Sequence, residues 1–306
     1  MAARAKGAVG IVGLGIRGGA FAMNLVASGW RVTGYDIDPA RRRALARVGV
    51  TIAPDIAAAA AAAPVLLTSL PSPQALRDVV TAIVDAKLPP RIIAETSTFT
   101  LEDKLAAEKA LRKAGHTVLD TPMSGTGAQA AVKDLVVLAS GDSKAIAKLK
   151  PMFLGFSRLV HDLGVFGNGS RMKYIANLLV AIHNVASAEA MVLGMKAGLD
   201  PQMVFEVIKS GAGTSRMFEA RAPMMVADKY DPPTMKIKVW QKDMDVIGAF
   251  ADSLGVPTPL FNATMPIYAA ARSLGLGMLD TGAVCTVLEG LAGVKRTGRP
   301  RKRKSA

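Results

Sequence analysis

Near the start of the chain a short apolar run, Ala8-Val9-Gly10-Ile11-Val12, leads directly into Gly13-Leu14-Gly15-Ile16-Arg17-Gly18. No other segment restricts the fold as strongly. A continuous apolar run of this length suits a strand buried on both faces. A G-x-G-x-x-G turn behind it, opening a helix, is the arrangement that receives a pyrophosphate on the helix N-terminus. Gly13 permits the tight turn, Gly15 lets the diphosphate approach the backbone, and Gly18 lets helix and strand pack closely. Leu14, Ile16 and Arg17 complete the loop. The next apolar run ends in Asp36, eighteen residues past Gly18. A carboxylate there accepts the adenosine ribose hydroxyls and repels a 2′-phosphate, which favours NAD over NADP. Arg41, Arg42 and Arg43 keep NADP open, since a nearby Arg can hold that phosphate; a solvated helix face is their simpler role.

Further apolar runs lie at 32–35, 65–68, 92–94, 117–119 and 135–139, separated by helical stretches at 20–27, 57–63, 75–84 and 101–113. Pro73 and Thr100 stand where helix starts carry proline or a capping hydroxyl. Such alternation predicts an α/β fold, a doubly wound parallel sheet of Rossmann type over residues 1–165. The pattern then changes. Gly167-Asn168-Gly169-Ser170 suits the start of a helix running to about residue 197, with Met172, Ile175, Leu179, Ile182 and Ala186 as its apolar face. About 28 residues span roughly 42 Å, enough to join two domains. Gly198 suits the position after its end, and Asp200 and Pro201 the next helix start. Residues 166–294 read as an all-α domain without a strand, and 295–306 as a basic tail. His183 and Asn184, on the long helix, read as packing or subunit-contact residues.

Composition narrows the function further. Half of the net charge of +14 falls in 295–306, where seven basic residues stand without an acid. Nucleic acid is therefore a question for the tail alone, whose Gly298-Arg299-Pro300 is similar to an AT-hook core; a solubilising tail is the simpler reading. One cysteine, Cys285, and three scattered histidines exclude a disulfide framework and argue against a metal site. No uninterrupted apolar run reaches the roughly 18–20 residues of a membrane span. The basic, then apolar N-terminus imitates a signal peptide, but the same residues serve the strand and glycine loop better, so a cytoplasmic protein is expected.

Residues 13–25, GLGIRGGAFAMNL, resemble the opening of the β-hydroxyacid dehydrogenases, the 3-hydroxyisobutyrate dehydrogenase family. Ser69-Leu70-Pro71 is similar to that family's turn over the cofactor, and Glu95-Thr96-Ser97-Thr98 to its Asp-x-Ser-Thr strand end. Asp120-Thr121-Pro122-Met123-Ser124-Gly125 resembles its substrate-binding loop. The segment from Gly167 to Lys173, with Asn177 four residues on, resembles its catalytic helix, and Lys242-Asp243 its late Lys-Asp pair. The resemblance spans about residues 8–294 and implies a Rossmann-type domain followed by an all-helical one.

Oxidising an alcohol requires a base for the hydroxyl proton as hydride leaves carbon, and lysine serves once burial or a nearby cation lowers its pKa. The resemblance implies that role for Lys173. Asn177, at i+4 on the same helical face, would hold the substrate oxygen. Lys242 would lie near the cofactor as a second cation, and Leu70, Pro71 and Thr98 would line the nicotinamide end. Ser124, with the backbone of Gly125 and Thr126, would hold the substrate carboxylate, and Asp243 would border the pocket. Three departures alter that pocket: Thr126 replaces a second glycine, Met235 a usual aromatic, and Leu178 a frequent second asparagine. A 3-hydroxy acid dehydrogenase, acting as a homo-oligomer (dimer or tetramer), is the expected function. The alternatives are an imine reductase-like enzyme on the same scaffold, disfavoured by Lys173, and a non-enzymatic DNA-associating protein using the tail.

Overall fold

The computed structural model describes residues 5–296. The chain divides into two compact units, with the break between Ala176 and Asn177. In the first, strands and helices alternate: β1 (Ala8–Val12), α1 (Ile16–Ala27), β2 (Arg31–Tyr35), α2 (Pro39–Ala46), β3 (Thr51–Ile52), α3 (Ile56–Ala61), β4 (Val65–Thr68), α4 (Pro73–Asp85), β5 (Ile92–Glu95), α5 (Leu101–Lys113) and β6 (Thr117–Asp120). These six strands form one parallel sheet in the order β3-β2-β1-β4-β5-β6. The order reverses between β1 and β4, which opens a crevice at their carboxyl ends. Apolar cores fill both faces, as continuous runs such as the fully buried β4 require. One core is built around Phe21, Phe153 and Phe156, the other around Leu76, Ile83 and Leu111.

Beyond β6 come β7 (Met123–Ser124), α6 (Gly127–Ala131), β8 (Val136–Ala139), α7 (Ser143–Phe153) and β9 (Leu159–Asp162). Here the structure departs from the sequence pattern. The run at 135–139 does not join the main sheet; it forms a second sheet, antiparallel to β7 and parallel to β9. Thr51–Ile52 takes the sixth place instead. Strands of two residues are too short to show a period, and β9 is mostly exposed, so neither carries the buried apolar signature.

The long helix, α8, covers Asn168–Lys196 and is followed by α9 (Pro201–Ser210), α10 (Arg216–Ala227), α11 (Ile237–Ser253), α12 (Pro259–Ser273) and α13 (Val284–Ala292). Among the described residues this half holds no strand, only an isolated bridge between Lys236 and Asp280. Asp200 caps α9 by accepting Met203 N–H at 3.0 Å, as its position suggests.

Two expectations about α8 are corrected. By length and composition it is long and apolar enough to cross a membrane. A search for uninterrupted runs misses this because Lys173, Asn177, His183 and Asn184 break the sequence. Asn184 donates to Tyr268 Oη at 3.2 Å inside the second unit, which is a packing role. The second correction concerns its face. Met172, Ile175 and Leu179, expected to turn inward, are 42%, 53% and 47% exposed. The buried positions include Lys173, Tyr174, Asn177, Ala181, Asn184, Ala188 and Met191. Periodicity reveals an apolar stripe but not what the stripe packs against.

Arg296, expected to belong to the basic tail, is anchored: it donates to Glu289 Oε1 and to Val226 O. Gly298-Arg299-Pro300 and the rest of 297–306 lie outside the described residues.

Candidate functional site

In the first unit the candidate residues gather at the carboxyl edge of the main sheet. The glycine loop follows β1, Leu70 and Pro71 follow β4, Thr98 follows β5, and Ser124 to Thr126 follow β6. Gly13 N–H donates to Tyr35 O at 2.8 Å, and a Cβ on Gly18 would stand 1.9 Å from Gly13 O, so loop and helix close only around glycine. Beside Gly15 the one atom within 4 Å of an added Cβ is Arg41 Nη1, at 3.4 Å, which leaves that side of the loop open. Helices α2 to α7 each begin with a side-chain cap, whereas α1 has none. An open glycine backbone and an uncapped helix start fit a diphosphate.

Asp36 is buried and braces this loop: Oδ2 accepts Leu14 N–H at 2.7 Å and Oδ1 accepts Asp38 N–H at 2.8 Å. Arg41 is not simply solvated. Its guanidinium reaches Asp36 at 3.4 Å and Asp38 at 3.5 Å, while Arg42 lies over the Tyr35 ring. Ile16, the first residue of α1, is 80% exposed although apolar. Arg17 Nη2 donates to Gly125 O at 3.3 Å, tying the glycine loop to the Ser124 loop. Leu70 N–H donates to Ser97 Oγ at 2.8 Å, fixing the turn after β4, and Thr98 is buried. Thr126, one of the departures, spends its side chain on α6: it forms a capping box with Gln129, whose Oε1 accepts Thr126 N–H at 2.9 Å.

Lys173 stands in the second turn of α8 and is only 4% exposed. In the second unit, Asn177 Nδ2 donates to Asp243 Oδ2 at 3.0 Å, and Asp243 Oδ1 lies 3.1 Å from Lys242 Nζ. Both Asn177 and Asp243 are buried, so the late Lys-Asp pair is more than a surface ion pair. Met235 precedes α11 and is held by its N–H to Asp280 Oδ2 at 3.1 Å.

Residues 8–165 match the family model described as the NAD binding domain of 6-phosphogluconate dehydrogenase. Residues 167–288 match that for NAD-binding of NADP-dependent 3-hydroxyisobutyrate dehydrogenase. An L-threonate dehydrogenase from Pectobacterium atrosepticum is 32% identical, over 93% of this chain and 95% of its own length. The chain belongs to the β-hydroxyacid dehydrogenase family. Glyoxylate/succinic semialdehyde reductase 1 of Arabidopsis thaliana is 31% identical over 90% of this chain and 96% of its own. Among solved structures, a Mycobacterium tuberculosis 3-hydroxyisobutyrate dehydrogenase with L-serine superposes with a TM-score of 0.84 at 26% identity, covering 92% of this chain and 99% of that one. The protein is accordingly an NAD(P)-dependent hydroxyacid dehydrogenase, and neither the imine reductase-like nor the DNA-associating alternative is favoured.

Sequence reasoning on this dehydrogenase missed one cluster. Lys104 of α5 is fully buried, with Nζ 2.7 Å from Glu95 Oε2 and 2.6 Å from Asp120 Oδ1. Burial pulls its pKa down, but the two carboxylates more than reverse this and hold it above the ordinary lysine range. Nothing local marks Lys104, since a lone lysine on an amphipathic helix reads as solvated. The signal available was a lysine in the helix that joins two strands each ending in an acid, Glu95 and Asp120.

Proposed function

We propose that this dehydrogenase oxidises a small 3-hydroxy carboxylic acid, or reduces the matching semialdehyde, with Lys173 as the proton-transfer group. The burial of Lys173 near the start of α8 is the observation that carries the reading. In oxidation the hydroxyl proton passes to Lys173 Nζ as hydride leaves the same carbon and the C–O bond becomes C=O; in reduction the ammonium returns the proton. The nicotinamide, when bound, takes up or supplies the hydride. Asn177, braced by Asp243, orients the substrate oxygen, and Ser124 with the Gly125 and Thr126 backbone holds the carboxylate. Gly13 to Gly18 hold the pyrophosphate, Leu70, Pro71 and Thr98 line the nicotinamide end, and Lys242 serves as a second cation. Asp243 and Met235 border the substrate.

NAD is preferred over NADP in this reading, because a buried carboxylate at Asp36 disfavours a 2′-phosphate. Arg41 is paired with Asp36 and Asp38 and so is already neutralised. The enzyme works in the cytoplasm as a homo-oligomer, a dimer or tetramer. The exposed stripe of Met172, Ile175 and Leu179 supports a second copy against α8. A screen of 3-hydroxy acids and their semialdehydes with both cofactors tests the activity. Turnover with at least one such acid, faster with NAD, is expected; turnover confined to 2-hydroxy acids or imines would overturn the reading.

A further inference from the structure

The charged cluster behind the sheet edge leads directly to α8. Glu95 and Asp120 end neighbouring strands and are register partners in the sheet. Lys104 joins them, yet one ammonium does not use up two carboxyl groups. Glu95 Oε1 accepts Ser97 N–H at 2.8 Å, and the remaining capacity of Asp120 is taken by the first turn of α8. Asp120 Oδ2 accepts Ser170 N–H at 2.7 Å, and Oδ1 accepts Ser170 Oγ–H at 2.9 Å. Ser140 Oγ accepts Gly169 N–H at 2.9 Å, and Val165 O accepts Asn168 N–H at 3.1 Å. Every N–H from Asn168 to Ser170 thus has a partner, and the strongest is a carboxylate at the positive end of a long helix. A Cβ on Gly169 would stand 2.3 Å from Leu138 O, so the backbone is pressed against β8 at this point. Tyr174, one turn on, donates its hydroxyl to Phe99 O.

We propose that Glu95, Lys104 and Asp120 form a clamp of positioning residues that fixes the first turn of α8 and thereby sets the reach of Lys173. The clamp rests on the reading of Lys173 as the proton-transfer group. Asp120 is the central member: Lys104 holds one oxygen while Ser170 engages both, so the carboxylate has no freedom to turn. Lys173 lies three residues past Ser170, on the neighbouring turn, so slack at Ser170 is carried directly to its Cα. A long side chain delivers its amine to one place only if its root is fixed, and misplacement on the ångström scale is costly to proton transfer.

The test uses the full chain with S170A, S170T, E95Q and D120N, and K173A as a reference. In S170A kcat is expected to fall roughly tenfold and in D120N about a hundredfold, with KM and cofactor affinity held within about twofold. S170T, which restores the hydroxyl, is expected to recover most of the rate. A second readout needs no turnover: after reductive 13C-methylation, the Lys173 resonance, assigned by its loss in K173A, shifts in S170A and E95Q. A merely structural role would lower the melting temperature and leave both kcat and that resonance unmoved at assay temperature. If D120N fails to fold, S170A and E95Q carry the test. Folded S170A and E95Q with unchanged kcat and an unmoved resonance would overturn the clamp. Full turnover by K173A would instead overturn the role of Lys173, and a shifted resonance in S170A would still establish that the clamp acts on it.

Discussion

Helices α1 and α8 begin with the same deficit, a first turn of N–H groups without intrahelical acceptors. They resolve it in opposite ways. At α8 the protein closes the turn itself, with Val165 O, Ser140 Oγ and above all Asp120, whose own position is fixed by buried Lys104. At α1 no side chain caps the turn, and the loop before it is glycine on the side that faces outward past Arg41. One helix start is left without a side-chain cap, as the proposed diphosphate site requires. The other is sealed by an internal carboxylate and carries a buried lysine one turn later. In the proposed reading, donors left open receive the ligand, whereas donors sealed from within hold Lys173 still.

The contrast can be broken most forcefully at Asp120. Replacing it with alanine leaves Lys104 with Glu95 alone and strips Ser170 N–H of its acceptor, and it should cost about 3–5 kcal/mol in urea or guanidinium unfolding. A smaller loss, near that of an exposed ion pair, would mean the seal on α8 matters little. At the open start, D36A removes the acceptor of Leu14 N–H and the carboxylate proposed to bind the ribose. NAD affinity should weaken roughly tenfold, or about 1.4 kcal/mol, while the gap between NAD and NADP narrows; titration of both cofactors checks this. T100A serves as the neutral comparison, because Thr100 caps α5 in the ordinary way by accepting Asp103 N–H at 3.2 Å. It should lower stability by about 1 kcal/mol and leave kinetics unchanged.

The smallest effect is expected from pH. Burial, and then the charge of Arg91, hold the pKa of His116 below its ordinary value. A depressed folded-state pKa means the neutral form is favoured in the fold. Its contribution is present above about pH 6.5, the unfolded value, and is lost as pH falls through the folded value. Melting temperatures from pH 7.5 down to 5 should therefore decline less steeply in H116Q than in the parent. Lys104 has the opposite sign: its raised pKa stabilises the fold throughout the neutral range, and that contribution fades only in strong alkali.

Local signals made the open start of α1 legible in the sequence. An apolar strand, three glycines and an acid at the next strand end all lie within one strand–helix–strand unit. The ends of α8 were legible for the same reason, a glycine-rich loop before it and Gly198 after it. Its orientation was not. The apolar stripe through Met172, Ile175 and Leu179 has a helical period whether it meets the chain's own core or another molecule, and here it is exposed. The clamp was hidden for a different reason: Lys104 and Ser170 meet Asp120 across 16 and 50 residues, and no periodicity reports a contact that depends on three strands and two helices. Glu95 and Asp120 were visible within family-like segments, but only their strand register makes them partners. Arg296 escaped in the same way, since a basic run gives no sign that its first arginine reaches back to Glu289.

The most direct measurement is a paired one: steady-state turnover of a 3-hydroxy acid and NAD binding, in the parent and in K173A. Turnover should fall by about a factor of 10²–10⁴, the range of a lost general base, while NAD binding stays within about twofold. Parent-like turnover in folded K173A would contradict the assignment of proton transfer to the lysine that the sealed helix start holds.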